Sequence, residues 1–144
     1  MGELVIREAS KDDASAIALL LGQLGYPRSV SFVEDKVSTL SHNESDSVVV
    51  AELRGEVVAV AHLHLASLFH ESGHLGRVTA IVVTENCRRM GIGRELMATL
   101  EVAAERAGCT KIEVTSGLKR DSAHAFYARL GYCEKPKRFL KLLR

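Results

Sequence analysis

Three consecutive stretches constrain this chain more than any others: the run Val78-Thr79-Ala80-Ile81-Val82-Val83, a break at Thr84-Glu85-Asn86, and the loop Cys87-Arg88-Arg89-Met90-Gly91-Ile92-Gly93-Arg94. The first is β-branched and almost wholly apolar, which is the composition of a buried strand. From Gly91 onward Ile92, Leu96, Leu100, Ala103 and Ala107 recur at the spacing of one helix face, and Gly108 stands where a left-handed cap belongs. The first N–H groups of such a helix lack a carbonyl one turn earlier, and glycines at 91 and 93 bring no Cβ in front of them. The helix dipole and Arg88, Arg89 and Arg94 add positive potential, so the loop reads as a cradle for an anion such as phosphate. The arginines could equally be a solvated face, but the dipole disfavours cations at a helix start, and that cost argues for a bound anion.

A second strand, Lys111 to Ser116, follows the helix after a short link, and the right-handed crossover rule makes the two strands parallel. Two familiar phosphate loops do not fit. The Walker loop needs Gly-Lys-Ser/Thr, and the dinucleotide fingerprint needs a third glycine where this chain has Leu96, although Glu113 lies at a suitable distance.

Elsewhere the pattern is regular. Ser10 precedes a helix with Ala14, Ile17, Ala18, Leu21 and Leu24 on one face, ending at Gly25. A second helix is expected from Ser29 or Ser31 to Leu40, with Phe32, Val33, Val37 and Leu40 inward. Two strands, Ser47 to Leu53 and Glu56 to Leu65, form a hairpin at Arg54-Gly55, and residues 67–75 turn the chain back. At 144 residues with 47% hydrophobic content, residues 1–144 are expected to form one domain with a real core. A net charge of +1 advertises no nucleic-acid partner, and no apolar run approaches a membrane span. Three cysteines without metal or disulfide spacing suit a reducing cytoplasm, which is the expected location.

The order Val83, Arg88-x-x-Gly91-x-Gly93 and then Ala123-x-x-Phe126-Tyr127-x-x-x-Gly131-Tyr132 resembles the GNAT superfamily of acetyl-CoA-dependent N-acetyltransferases. The first motif is similar to that family's pyrophosphate loop, Arg/Gln-x-x-Gly-x-Gly/Ala. The second is similar to its late helix, with a Phe-Tyr pair before a Gly-aromatic strand start. Lys119-Arg120-x-x-Ala123-His124-x-Phe126-Tyr127 is similar to the aminoglycoside and aminoalkylphosphonate enzymes among them.

The resemblance implies an α/β fold: a mixed, mostly antiparallel sheet of about seven strands with about four helices, and a splayed parallel pair around a coenzyme cleft. The last strands would be Tyr132 to Glu134 and Arg138 to Leu142, and pairing through them leaves a homodimer open. It also implies transfer of an acetyl group from acetyl-CoA to a small primary amine by direct attack in a ternary complex. Backbone amides near Ile81, Val82 and Val83 would grip the pantetheine, and Arg88, Arg89, Met90, Gly91, Ile92, Gly93, Arg94 and Ser122 would hold the rest of the coenzyme. Tyr127 takes the place of the general acid. From periodicity alone, Ala123, Phe126, Tyr127 and Leu130 are equally the buried face of a helix.

Two features depart from or lie outside that pattern. Many members carry a glutamate base on the strand before the loop, where this chain has Thr79 and Ala80, so the candidate bases are His62, His64, Glu113 or bulk water. His62 and His64 point to one face of their strand and, with Ser116, are candidates for the acceptor site, where a histidine would relay the amine's proton through water. The spacing His-x-His-x5-His-x3-His, through His70 and His74, lacks a carboxylate or cysteine partner in sequence, so no metal is assigned. Other readings remain: a non-catalytic acyl-CoA sensor, which the missing glutamate permits, or a protein or peptide acetyltransferase.

Overall fold

A computed structural model describes residues 3–115, 121–135 and 138–144. Five strands, β1 (Leu4–Glu8), β2 (Asp46–Leu53), β3 (Glu56–Ser67), β4 (His74–Val83) and β5 (Cys109–Val114), lie in one sheet in that order. β1 to β4 are antiparallel neighbours, and β5 joins β4 in parallel after a helical crossover. Four helices, α1 (Ala14–Leu24), α2 (Val30–Ser41), α3 (Ile92–Arg106) and α4 (Asp121–Arg129), complete the described chain.

Each element forms for a local reason. α1 stops at Gly25, whose φ of 104° is the left-handed cap, and the Tyr26 N–H returns to the Leu21 carbonyl at 2.9 Å. Ser29 caps α2, its hydroxyl accepting from the Phe32 N–H at 3.0 Å. Phe32 itself is not inward as expected. It is 43% exposed, one position off the Val33 and Val37 face, with Arg28 and Lys36 over its ring at 5.4 and 5.5 Å. The hairpin turns at Arg54 and Gly55, both with positive φ, as a two-residue loop matched to strand twist requires.

The sheet is covered on both faces. α3 buries Ile92, Leu96, Met97, Leu100 and Ala104 against Ala59, Ala61, Leu63 and Val78, with Phe126 and Tyr127 of α4 and Leu130 just after it packed at the margin. On the other face Ile17, Leu20, Val33 and Val37 of α1 and α2 meet Val50, Val60 and Val82. β4 therefore lies between two cores, giving Val78 to one and Val82 to the other.

The expected seven strands are not reached: no strand follows β5 among the described residues. Phe139, Leu140, Leu142 and Leu143 are 93, 74, 80 and 87% exposed, so the apolar alternation that suggested a strand lies against no face of the sheet. Alternation encodes a strand only where a neighbour takes up the backbone N–H and C=O groups. β4 also begins at His74, earlier than expected, because Gly76 and Arg77 interrupt the apolar pattern without interrupting the ladder to β3.

Where β1 meets α1, Arg7 holds both Asp13 carboxylate oxygens at 2.8 and 2.9 Å and reaches Glu52 at 2.8 Å. The Ser10 N–H also donates to Asp13 at 2.8 Å. Asp13 is 6% exposed, and chiefly the Arg7 bond holds its carboxyl below the ordinary carboxylate range. Asp13→Asn should cost about 2 kcal/mol in urea unfolding at pH 7. A carboxyl depressed in the folded state stabilises above its unfolded pKa and ceases to as pH falls through the folded one. The gap between wild type and Asp13→Asn should therefore narrow in acid; a gap unchanged at pH 3 would contradict the assignment.

Candidate functional site

The parallel pairing of β4 with β5 runs from His74 opposite Cys109 to Val78 opposite Val114 and then stops, while β4 continues for five residues to Val83. Beyond Val78 the outer side of β4 is therefore unpaired by β5. The Thr84 N–H donates to the Val58 carbonyl at 2.8 Å in the ladder that sets Val82 opposite Val60 and Ala80 opposite His62. Antiparallel ladders alternate, so Val82 and Ala80 turn their backbone groups toward β3, whereas Ile81 and Val83 turn theirs to the open side. This corrects one expectation: the Val82 amide faces β3, and its side chain is in the α1/α2 core.

That open edge runs directly into the glycine-containing loop. A 3-10 turn at Glu85–Cys87 leads to Arg88, whose Nε donates to the Val83 carbonyl at 3.2 Å and ties loop to strand. Gln23 of α1 grips the same corner, donating from Nε2 to Thr84 Oγ1 and accepting from the Glu85 N–H, both at 3.1 Å. Gln23 was not singled out in the sequence, where it reads as one more polar residue near a helix end. Arg89 and Gly91 have φ of 67° and 83°, and Gly91 is the residue from which α3 starts. The Glu95 N–H closes the first helical rung on the Gly91 carbonyl at 3.1 Å, so the amides ahead of Glu95 have no carbonyl one turn back. Arg88, Arg89, Met90 and Arg94 are exposed beside them, while Ile92 is buried and offers only its backbone.

The two glycines serve different ends. At Gly91 a Cβ would meet nothing within 4 Å, but the left-handed backbone requires glycine. At Gly93 a Cβ would lie 3.2 Å from Phe126 Cζ, so the space it leaves is taken by the α4 aromatic rather than by open approach to the backbone. Phe126 thereby fixes α4 on the start of α3 and carries its neighbour Tyr127 with it. The rings of Phe126 and Tyr127 meet edge to face at 5.1 Å, and Tyr127 meets Tyr132 at 5.9 Å. Tyr132 donates its O–H to Glu101 Oε2 of α3 at 2.6 Å, and burial together with that carboxylate pushes its phenol well above the usual range. Ser122 is exposed near the start of α4. Ser116 lies outside the described residues.

The histidines have a partner that sequence spacing did not show. Asp46, the first residue of β2, places Oδ1 2.7 Å from His62 Nε2 and 2.9 Å from His64 Nδ1, with its side chain 4% exposed. Burial pushes the Asp46 carboxyl up, but the bonds from His64 and His62 outweigh it and leave the group below its ordinary value. The other ring nitrogen of His62, Nδ1, is bonded to Thr79 Oγ1 of β4.

Two bulges make this cluster. Val58 is an extra residue between Glu52–Val57 and Ala51–Ala59, shifting the register so that Asp46 faces His64 rather than Leu63. Thr79 is an extra residue between His62–Ala80 and Leu63–Val78, and it is exposed immediately beyond the last pairing with β5. His70 and His74 do not join: His74 Nδ1 is 3.1 Å from Ser67 Oγ, and His70 is 3.6 Å from Glu71. Among the described residues no group of three or more His, Cys, Asp or Glu is disposed to hold a metal ion. Glu113, a candidate base, is engaged by Arg77 at 2.8 and 3.0 Å.

Comparison with known proteins bears on this geometry. Over 89 residues the chain is 37% identical to an aminoalkylphosphonate N-acetyltransferase of Salmonella typhimurium, a match that takes in 62% of this chain and spans only 58% of that protein's length. It is 28% identical over 133 residues to an aminoglycoside N(6')-acetyltransferase of Stenotrophomonas maltophilia, covering 90% of this chain and 86% of that one. An aminoglycoside N-acetyltransferase solved in complex with CoA superimposes with a TM-score of 0.86 at 15% identity over 98% of this chain and 95% of the other, a likeness of fold. The family model described as the acetyltransferase (GNAT) family matches residues 13–132, from the end of β1's connection through Tyr132, and the chain belongs to that family.

Proposed function

We propose that this chain is an acetyl-CoA-dependent N-acetyltransferase acting on a small primary amine. One observation carries the reading: the part of β4 left unpaired by β5 leads within ten residues into the glycine-containing start of a helix. Amide donors spaced along a strand edge suit the amide-bearing pantetheine arm, and helix-start amides beside arginines suit a diphosphate. The chain thus has donors fitted to both halves of coenzyme A. The relatives named for N-acetyl transfer to aminoalkylphosphonates and aminoglycosides support a small amine as acceptor.

Acetyl-CoA supplies an activated acyl group as a thioester. The chain's residues do the rest. The loop from Arg88 to Arg94 holds the diphosphate, with Ser122 near the start of α4 as a further contact. The Ile81 and Val83 amides hold the pantetheine and stabilise charge developing on the thioester oxygen. Tyr127, next in the chain to the Phe126 that packs on Gly93, gives its proton to the departing sulfur. Both substrates are bound together, and the amine attacks directly from the α1/α2 side.

The test is thiol release from acetyl-CoA with a panel of aminoalkylphosphonates, aminoglycosides and simple alkylamines. Release dependent on at least one amine is expected. Coenzyme binding with no release from any amine would favour a sensor of the same fold instead.

A further inference from the structure

We infer that Thr79, His62 and Asp46 form a proton relay that takes the proton from the attacking amine. The inference rests on the acetyltransferase reading and supplies the base that the sequence lacks on β4. It follows from hydrogen-bond valence. Asp46 is 4% exposed on its side chain and held below its ordinary pKa, so it is an ionised carboxylate that can only accept. His62 Nε2, at 2.7 Å from it, must therefore carry the proton. In the neutral ring Nδ1 is then bare, and its bond to Thr79 Oγ1 has the threonine as donor. Among the described residues no other bond to the Thr79 hydroxyl is seen, and as a donor to His62 its oxygen keeps lone pairs that can receive a proton.

Position matches chemistry. Thr79 is the bulged residue of β4, immediately after Val78, where pairing with β5 ends. Two residues on, about 7 Å along the strand, is the Ile81 amide on the open side. The relay thus reaches the fork of the cleft from the α1/α2 face, while Tyr127 stands on the α3/α4 face. An amine between them has an acceptor for its proton on one side and the thioester on the other. The order hydroxyl, imidazole, carboxylate follows the logic of a catalytic triad, with the hydroxyl passing a proton in place of attacking.

The step balances as follows. The amine nitrogen bonds to the carbonyl carbon as the C–S bond breaks. Its proton goes to Thr79 Oγ1 while the threonine's own proton passes to His62 Nδ1, and Asp46 offsets the imidazolium charge. Tyr127 protonates the sulfur, and water removes the proton from His62 and restores that of Tyr127. Among the described residues, the ionisable groups beside the relay include His64 of β3, which shares Asp46 Oδ1 and lies 6.5 Å from His62 between ring centroids, Arg77 of β4, which stands opposite His64 and is paired with Glu113 of β5, and Glu8 of β1, which borders the same hollow as Asp46.

Two measurements decide the matter. Nitrogen NMR of the intact protein, with His62 assigned by its loss in His62→Gln, should show the Nε2-protonated tautomer in wild type and a mixture in Asp46→Asn; an Nδ1-protonated ring in wild type would overturn the relay. In the thiol-release assay with acetyl-CoA and the best amine of the panel, Thr79→Val should lower kcat about 10- to 100-fold without changing the KM for acetyl-CoA, and Thr79→Ser should restore it. The acid limb of the pH–rate profile should be lost in His62→Gln. Full kcat in Thr79→Val, with wild type active, would overturn the relay and leave the acetyltransferase reading standing. No turnover by wild type with any amine would overturn both.

Discussion

Tyr127→Phe is expected to lower kcat at saturating acetyl-CoA by about 100-fold or more, the range a positioned general acid contributes. The substitution removes one oxygen and keeps the ring contacts to Phe126 and Tyr132 at 5.1 and 5.9 Å, so the helix should keep its place. The KM for acetyl-CoA should stay near wild type, because the interaction proposed for Tyr127 is made only as the thiolate departs. A second tyrosine nearby sharpens the expectation. Tyr132 commits its O–H to Glu101 at 2.6 Å and holds its proton more tightly than a free phenol, which makes it a poor donor. Tyr132→Phe should accordingly affect stability more than kcat. Unchanged kcat in Tyr127→Phe would remove Tyr127 from the mechanism and leave it as a core residue at the edge of α4.

The second large effect is on stability. Leu96 is 0% exposed, one turn into α3, packed in the core that joins this helix to β3 and β4. Leu96→Ala deletes buried methyl groups and leaves a cavity, at a cost of about 3 kcal/mol. For a chain of this size that corresponds to a fall in Tm of about 10 °C, measurable by calorimetry or circular dichroism. Coenzyme affinity should weaken as well, since the amides proposed to receive the diphosphate start the helix that Leu96 anchors. Wild-type Tm would mean that the site repacks and that Leu96 is not the anchor. Leu96 also explains why the loop departs from a dinucleotide fingerprint: the position that would need glycine is filled by the core.

Elements with strong local instructions could be read from the sequence to within a few residues. Gly25 and Ser29 bound α1 and α2, Arg54 and Gly55 turn the hairpin, and the spacing of Ile92, Leu96 and Leu100 draws α3. The open edge of β4 and the helix start after it were legible for the same reason, because a strand, a glycine break and an amphipathic run are each local patterns. The relay was not. Counting back from the hairpin, with Leu53 opposite Glu56, places Asp46 opposite Leu63, on the wrong face for the histidines. One extra residue at Val58 moves it opposite His64, and another at Thr79 turns that hydroxyl toward His62. Bulges follow from packing on both faces of the sheet and leave little trace in composition. At Gly93 the sequence pointed to close approach by a ligand, whereas the structure shows that its missing Cβ makes room for Phe126, a contact between residues far apart in the chain that no local pattern carries. The apolar tail at 139–143 carries the alternation of a strand with no face to lie on, and pattern alone cannot tell the two apart.

Titration calorimetry comparing coenzyme A with pantetheine tests the central claim most directly, because the two share the arm and differ by the diphosphate and nucleotide. Coenzyme A should release heat on binding, with pantetheine at least about tenfold weaker, as a helix-start cradle for a charged diphosphate requires. No heat from coenzyme A, or equal affinity for the two, would contradict it.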